Sequence, residues 1–135
     1  MKRIQMLSLL LSLIVPSLAS AQTSRATSAQ AEKNWEQFYA AFRAAVDKRD
    51  SNALKQMMAN RFESNGGGQF TPAKWLRGMN SSNWKQLQRS VALGTKRFDN
   101  ENGRPGRITK DEAADCPIFS FGKDQRWRWV AVLGD

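Results

Sequence analysis

The sequence predicts an α+β domain, with N-terminal helices packed on an antiparallel sheet. Residues 27–94 place apolar side chains at helical spacing between capping residues, whereas residues 95–135 carry short apolar runs joined by turn signals. Helices that precede strands in this way are typical of the α+β class. The chain contains no internal repeat that would indicate a solenoid instead.

The first residues predict a signal peptide that is cleaved after Ala21. Lys2 and Arg3 precede an apolar run over residues 6–15, and Ala19 and Ala21 are the small residues that a signal peptidase reads. The run is shorter than the about 20 apolar residues that span a bilayer, so a membrane anchor is not expected.

The rest of the chain predicts one exported domain. Residues 22–28 are small and polar and predict a flexible leader. Residues 29–135 are enough for one core but not for two. No later stretch is long and apolar enough to predict a transmembrane segment after signal removal. We therefore expect a periplasmic or secreted protein.

Two amphipathic helices are predicted after the leader. Thr27 and Gln30 form a capping box for the first helix, which should end near Arg49. Asp50 or Ser51 then caps the second helix. The apolar stripe of the first helix consists of Trp35, Phe38, Tyr39, Phe42 and Val46, and that of the second of Leu54, Met57, Met58 and, as a further candidate, Phe62.

A glycine run and two more helices follow. Residues 61–64 predict a short extended segment before the glycines. Thr71 and Pro72 start the third helix, because a hydroxyl caps it and proline is tolerated in the first turn. Residues 80–83 separate it from a fourth helix, which Gly94 ends. The inner faces of these two helices are Trp75, Leu76 and Met79, then Trp84, Leu87 and Val91.

The last third of the chain predicts strands. An Asn-Gly turn signal at residues 102–103 favours a strand pair around Phe98 and Ile108. Residues 118–121 and 127–133 are rich in β-branched and aromatic side chains and predict a closing hairpin.

Three segments carry a resemblance to a known superfamily. They are an opening helix, NWEQFYAAFRAAVDKRD, a second helix, SNALKQMMANRF, and a closing strand, RWRWVAVLGD. With the length after signal removal, they resemble the nuclear-transport-factor-two-like superfamily, which includes the SnoaL-like polyketide cyclases. The resemblance implies a curved, cone-like sheet whose helices enclose a pocket. That superfamily hosts enzymes, small-molecule binders and dimerisation modules, so the fold does not choose a function.

The charge of the chain is strongly basic. Removal of Lys2 and Arg3 from 21 basic residues leaves 19 against 12 acidic residues, a net charge of +7 for the mature chain. Such a charge favours anionic partners or, because it is spread along the whole sequence, solubility alone. Nucleic acid is not expected as the partner of an exported protein.

The absence of histidine and the presence of a single cysteine limit the chemistry that the chain can perform. The sequence has no histidine, which removes the usual general base and transition-metal ligand, and the acid–base pair of the cyclases has no full match. Cys116 is the only cysteine, so no intramolecular disulfide is possible, and its apolar surroundings predict a buried thiol. We assign no catalytic residue, cofactor or metal, and we favour a non-catalytic module over an enzyme.

Aromatic side chains form the first candidate site. Trp127 and Trp129 alternate with Arg126 and Arg128, so on a strand the two tryptophans share one face. They should meet the aromatic stripe of the first helix, either as ordinary core or as the wall of a ligand pocket; a surface that stacks nucleic acid or glycans is the third interpretation. The candidate pocket wall consists of Trp35, Phe38, Tyr39, Phe42, Trp127 and Trp129.

The glycine run is the second candidate site. Gly66, Gly67 and Gly68 precede the helix that starts at Thr71, and Lys74 and Arg77 follow. Backbone N–H groups at a helix N-terminus bind anions, but no complete nucleotide motif is present. A hinge between two packed elements is therefore favoured over an anion site formed by Gly66, Gly67, Gly68, Lys74 and Arg77.

Carboxylates give weaker signals. Asp111, Glu112 and Asp115 lack the alternation and glycine of a calcium loop and predict a solvated loop. Glu36 and Asp47 lie off the apolar stripe and are expected at the surface.

We expect an exported module that binds a small molecule or protein partner through a helix–sheet cavity or the sheet face. A homodimer formed through the sheet is a further candidate. The alternatives are a cyclase-like or isomerase-like enzyme that uses a pocket carboxylate and Tyr39, and an anion-binding surface protein.

Overall fold

The computed structural model of the chain describes residues 17–64, 67–110 and 116–133, and these form four helices and one six-stranded sheet. The α+β class is confirmed. The helices are α1 Ser17–Asp47, α2 Ser51–Met57, α3 Pro72–Arg77 and α4 Ser81–Ala92. The strands are β1 Met58–Ser64, β2 Gly68–Phe70, β3 Thr95–Asp99, β4 Pro105–Thr109, β5 Cys116–Phe121 and β6 Trp127–Leu133.

The sheet is mixed rather than purely antiparallel. Its strand order is β2-β1-β6-β5-β4-β3, and β1 runs parallel to β6 with Met58 opposite Trp129. The other neighbouring pairs are antiparallel. The expectation of an antiparallel sheet is therefore wrong for this pair. Hairpins force neighbouring strands to run in opposite directions, but β1 and β6 come from opposite ends of the domain and no tight turn joins them.

Helix α1 begins earlier than predicted. It starts at Ser17 rather than at Thr27, so residues 22–28, expected as a flexible leader, lie within the helix. Residues 17–28 contain no glycine or proline and several alanines, so the helix can extend back towards Pro16 at little cost. Among the described residues, no helix has both the length and the apolar character that crossing a membrane requires.

Helix α2 is shorter than its apolar stripe suggests. Asp50 caps it as predicted, since its carboxylate accepts a hydrogen bond from the Ala53 backbone N–H at 3.0 Å. The backbone becomes extended at Met58, so Phe62 lies on β1 and not on the helix. The extended segment predicted at residues 61–64 is confirmed as the second half of β1.

Caps define α3 and α4 where the sequence predicts them. The Thr71 hydroxyl accepts a hydrogen bond from the Lys74 N–H, and Pro72 occupies the first turn of α3. Asn80 and Asn83 each accept a hydrogen bond from the other's backbone N–H and form a capping box at the start of α4. Gly94 follows α4 with φ of 80°, in the left-handed region that glycine adopts readily.

The hydrophobic core lies between the four helices and one face of the sheet. Fully buried side chains from α1, α2, β1, β5 and β6 meet there, with Trp129 the largest of them. The predicted strand pair and closing hairpin are both confirmed: Lys96 lies opposite Ile108, and Phe121 opposite Trp127. Cys116 is buried at the start of β5, as expected.

Candidate functional site

The aromatic residues predicted as a pocket wall form a filled core. Trp35, Tyr39, Phe42, Trp127 and Trp129 are buried and Phe38 is half-buried. The Trp35 ring centroid lies 4.7 Å from that of Trp127, and Phe42 lies 5.2 Å from Trp129. Phe119 of β5 lies between these rings, 5.4 Å from Trp35 and 4.9 Å from Phe42. The rings contact one another at packing distance, which favours the core interpretation.

The polar atoms of Tyr39, Trp127 and Trp129 form hydrogen bonds with backbone carbonyl groups. The Tyr39 hydroxyl donates a hydrogen bond of 2.7 Å to the Val91 carbonyl, and burial raises the pKa of Tyr39 to about 12. The indole N–H of Trp127 donates to the Ala31 carbonyl and that of Trp129 to the Ala131 carbonyl. Their hydrogen-bonding capacity is therefore used within the fold.

The carboxylates give no sign of an acid–base site. Glu36, Asp47 and Asp50 are exposed, and the buried polar residues of the described chain include no Asp or Glu. Asp111, Glu112 and Asp115 lie outside the described residues. In the part of the chain that the structure describes, no three His, Cys, Asp or Glu side chains are close enough together to hold a metal ion.

The glycine run turns the chain between two strands. Ser64 of β1 pairs with Gly68 of β2, and Gly67 between them has φ of 81°. Gly66 lies outside the described residues. Strand β2 separates this turn from the start of α3, which has only six residues. The position of the glycine run favours the hinge interpretation over an anion site. The run connects two strands rather than a strand and a helix.

The two cations of the predicted anion site are not brought together. Lys74 lines a cavity beside the glycine turn, whereas Arg77 lines a separate groove with Ser51 and Lys55. Both residues lie on α3, but each lines a different cavity.

A partly open cavity lies between α3, the first turns of α4 and the strands β1, β2 and β6. We call it the α3–α4 cavity, and its volume is about 290 Å³. Its lining combines apolar, polar and basic side chains: Ser64, Phe70, Lys74, Trp75, Gly78, Met79, Asn83, Leu87 and Val132. This mixture is typical of small-molecule sites, which are largely apolar with a few polar groups that orient the ligand.

The core positions the floor of the α3–α4 cavity. The Trp75 ring packs against Phe62 at 4.9 Å and against Trp129 at 5.0 Å, so one tryptophan contacts the core and lines the cavity. A register shift in the β5–β6 pairing puts both Trp129 and Val132 on the helix side of the sheet, although they are three residues apart. This bulge turns Val132 towards the cavity, where it forms part of the apolar wall. In a regular strand, a residue three positions after Trp129 would face the opposite side of the sheet.

Lys74 provides the charge at the α3–α4 cavity. Its ammonium lies 5.7 Å from the centroid of the Phe70 ring, a cation–π distance. Within the described residues, Lys74 is the only charged side chain in the lining. No carboxylate of this part of the chain forms an ion pair with it.

The α3–α4 cavity was not predicted from the sequence, although several of its residues were. Trp75, Met79 and Leu87 were predicted as inner faces of their helices and therefore as core. Phe38 and Trp127 instead line a second, more open groove of about 380 Å³ between α1 and the β5–β6 turn.

The comparisons with known proteins give no relative. No protein-family model, curated protein or solved structure matches the chain. The superfamily resemblance therefore stays a prediction.

Proposed function

We propose that the chain is an exported, non-catalytic α+β module that binds a small molecule in the α3–α4 cavity. One observation carries the proposal: a partly open cavity of about 290 Å³ whose aromatic and aliphatic walls also carry the polar groups of Ser64, Lys74 and Asn83. This volume lies at the lower end of the range for ligand sites, so the ligand is small. The nuclear-transport-factor-two-like resemblance, with its cone-shaped pocket, belongs to the same proposal, and the packing of the helices on one face of the sheet supports it.

Binding without catalysis is favoured because the α3–α4 cavity lacks the usual acid–base groups. The sequence contains no histidine, and the described residues of the lining include no carboxylate. Tyr39, the hydroxyl that a cyclase-like or isomerase-like enzyme would use, is engaged with Val91 in the core. The alternative anion site at the glycine run would include Lys74 only, because Arg77 lines another groove.

Export is part of the proposal because the first residues follow the signal-peptide pattern. Cleavage after Ala21 would remove five residues from the start of α1, and the contacts of Ala31 and Trp35 with the sheet lie well beyond that point. The mass of the protein recovered from the periplasm or medium of an exporting host should correspond to residues 22–135. A recovered chain of full length would contradict cleavage.

A substitution at Gly78 tests ligand binding directly. Gly78 lines the α3–α4 cavity with φ of −77°, and an added Cβ would lie 3.4 Å from the nearest atom, the Trp75 carbonyl oxygen. Gly78→Leu should therefore fill the cavity from its rim without disturbing the core. Ala73→Leu is the matched control, because Ala73 lies on the same helix and lines the separate groove.

The readout is the fluorescence of naphthyl dyes that brighten on leaving water. The dyes are 1-anilinonaphthalene-8-sulfonate, which is anionic, and N-phenyl-1-naphthylamine, which is neutral. At least one should bind the wild type at a single saturable site, and Gly78→Leu should weaken it about tenfold or more while Ala73→Leu has no effect. Absence of binding by both dyes, or equal binding by the Gly78→Leu variant, would contradict the proposal.

The outer face of the sheet favours a second function, association of two copies. A row of side chains crosses that face in the order Lys96, Ile108, Ile118, Ala131 and Glu63. The row has a cation at one end, a carboxylate at the other and apolar residues between. A two-fold axis parallel to the strands would place Lys96 of one copy opposite Glu63 of the other, as a self-complementary dimer interface requires.

Light scattering on the eluting protein tests the dimer. The wild type should elute with the mass of two chains, and Ile118→Lys should elute as one chain, because it places a charge in the apolar middle of the row. Ser120→Lys, at the neighbouring position on the same face of β5, is the control. A wild-type monomer at high protein concentration would contradict this second function.

A further inference from the structure

We infer that the α3–α4 cavity selects small organic anions, a flat apolar body that carries a carboxylate or a sulfonate. The inference rests on the proposed function and names its ligand class. Two observations support it. The lining offers more hydrogen-bond donors than acceptors, and no described carboxylate forms an ion pair with Lys74.

The polar groups of the lining are mainly donors. The Lys74 ammonium can only donate hydrogen bonds. Asn83 uses its side-chain oxygen to accept from the Asn80 N–H at 3.0 Å, which leaves its amide NH₂ to donate. The Ser64 hydroxyl can donate or accept. A ligand that brings acceptors, and above all a charged acceptor, complements this set best.

Among the residues that the structure describes, no carboxylate competes for these donors. Glu63 is adjacent to Ser64 in the sequence, but its neighbour Phe62 is buried among the helices, so Glu63 points to the opposite face of the sheet. Lys74 has no carboxylate partner within 4.0 Å among residues 17–64, 67–110 and 116–133. The positive charge at the cavity therefore remains to be neutralised by a ligand.

The apolar walls define the body of the ligand. The Phe70 ring lies beneath the Lys74 ammonium, and this contact holds the cation beside the cavity. Trp75 is fixed against the core by Phe62 and Trp129, so it offers a rigid aromatic surface. Met79 adds a flexible side chain that adapts to different shapes. Together these residues suit a ring system joined to an anionic group.

The two naphthyl dyes separate charge from shape, since one carries a sulfonate and the other does not. The wild type should bind the anionic dye about tenfold more tightly than the neutral dye, the effect of one charge-assisted hydrogen bond at a partly exposed site. Raising the salt concentration should weaken binding of the anionic dye alone.

Charge-neutralising variants identify the cation responsible. Lys74→Gln should abolish the preference for the anionic dye and leave the affinity for the neutral dye within about twofold. Arg77→Gln removes the same charge from the same helix but from the separate groove, and it should keep the preference. The side chain of Lys74 is exposed, so the variant should fold as the wild type does, and equal melting temperatures would establish this.

The outcomes distinguish the inference from the proposed function. Equal affinities of the wild type for both dyes, with binding still lost in Gly78→Leu, would overturn anion selection and leave small-molecule binding intact. A preference that survives Lys74→Gln, or one that Arg77→Gln removes equally, would also overturn it. Failure of both dyes to bind would remove the proposed function and the inference with it.

Discussion

Tyr39 links a single hydroxyl to the pH dependence of the whole domain. It is the only tyrosine of the chain, and burial raises its pKa from 10.0 to about 12. A raised pKa means that folding favours the protonated phenol, so this contribution to stability is complete below pH 10. It is lost as the pH rises from about 10 to about 12.

An absorbance titration of tyrosinate measures the pKa of Tyr39 alone, because the chain has no other tyrosine. The midpoint for the folded chain should lie near pH 12. Tyr39→Phe should lower stability at neutral pH by about 1 kcal/mol, because the Val91 carbonyl loses its buried donor. A midpoint near 10 in the folded protein would show that the hydroxyl is exposed and the assignment wrong.

Gln125 has a backbone conformation that suits glycine better. It lies in the β5–β6 turn with φ of 58°, and its N–H donates to the Gly122 carbonyl. Left-handed backbone costs a side chain roughly 1–2 kcal/mol, partly offset by the entropy that glycine adds to the unfolded chain. Gln125→Gly should therefore stabilise the protein by about 0.5–1 kcal/mol.

Chemical denaturation measures the change at Gln125. Lys123, an exposed residue of the same turn, has no positive φ, so Lys123→Gly should be neutral or destabilising. Equal effects of the two substitutions would show that φ at Gln125 is not the cause.

A partly buried ion pair joins α1 to β4 of the sheet. Arg107 of β4 is buried, and its Nη2 donates to both oxygens of Glu32 at 3.0 Å. The guanidinium carbon lies 5.0 Å from the centroid of the Trp35 ring. Arg97 of β3 also reaches Glu32, at 2.6 Å. One carboxylate on a helix thus forms ion pairs with cations on two strands.

Glu32→Gln should destabilise the domain by about 1–2 kcal/mol, less than the 3–5 kcal/mol for a fully buried pair because Glu32 is partly exposed. Glu36→Gln, one turn along α1 and fully in solvent, should change stability by less than about 0.5 kcal/mol. Denaturant midpoints compare the two variants. Equal midpoints would mean that Arg107 needs no partner from α1.

Elements that begin with local signals could be predicted, and elements that depend on distant partners could not. The caps at Thr71 and Asn80 lie next to the residues they serve, so the sequence reveals them. Strand β1 follows α2 without a break, and its buried residues Met58 and Phe62 are spaced as on a helix. Its extended form depends on pairing with β6, whose residues lie at the other end of the chain.

The candidate site could be predicted only in part. Sequence periodicity identifies which aromatic faces turn inwards, but not whether opposite faces meet or leave space between them. Trp35 and Trp127 meet in direct ring contact, and Phe119 packs against Trp35 beside them. The α3–α4 cavity forms where a short strand, a six-residue helix and a bulged strand meet, and no local pattern encodes the distances between them.

At the scale of the whole molecule, the aromatic core and the α3–α4 cavity occupy different ends of the sheet. The aromatic cluster of α1, β5 and β6 fills one end, and the space beneath α3 and α4 remains open at the other. Trp75 belongs to both, because its ring contacts Trp129 and lines the cavity. A ligand in the cavity would therefore contact the core directly through a side chain that is already rigid.

Nuclear magnetic resonance of the indole N–H groups tests this division most directly. The chain has five tryptophans, and Trp75→Phe assigns the signal of Trp75. Titration with 1-anilinonaphthalene-8-sulfonate should shift that signal and leave Trp129 almost unchanged, because the Trp129 indole is hydrogen-bonded inside the core. Shifts confined to Trp127, which lines the second groove, or no shift at Trp75 at saturating dye, would contradict binding in the α3–α4 cavity.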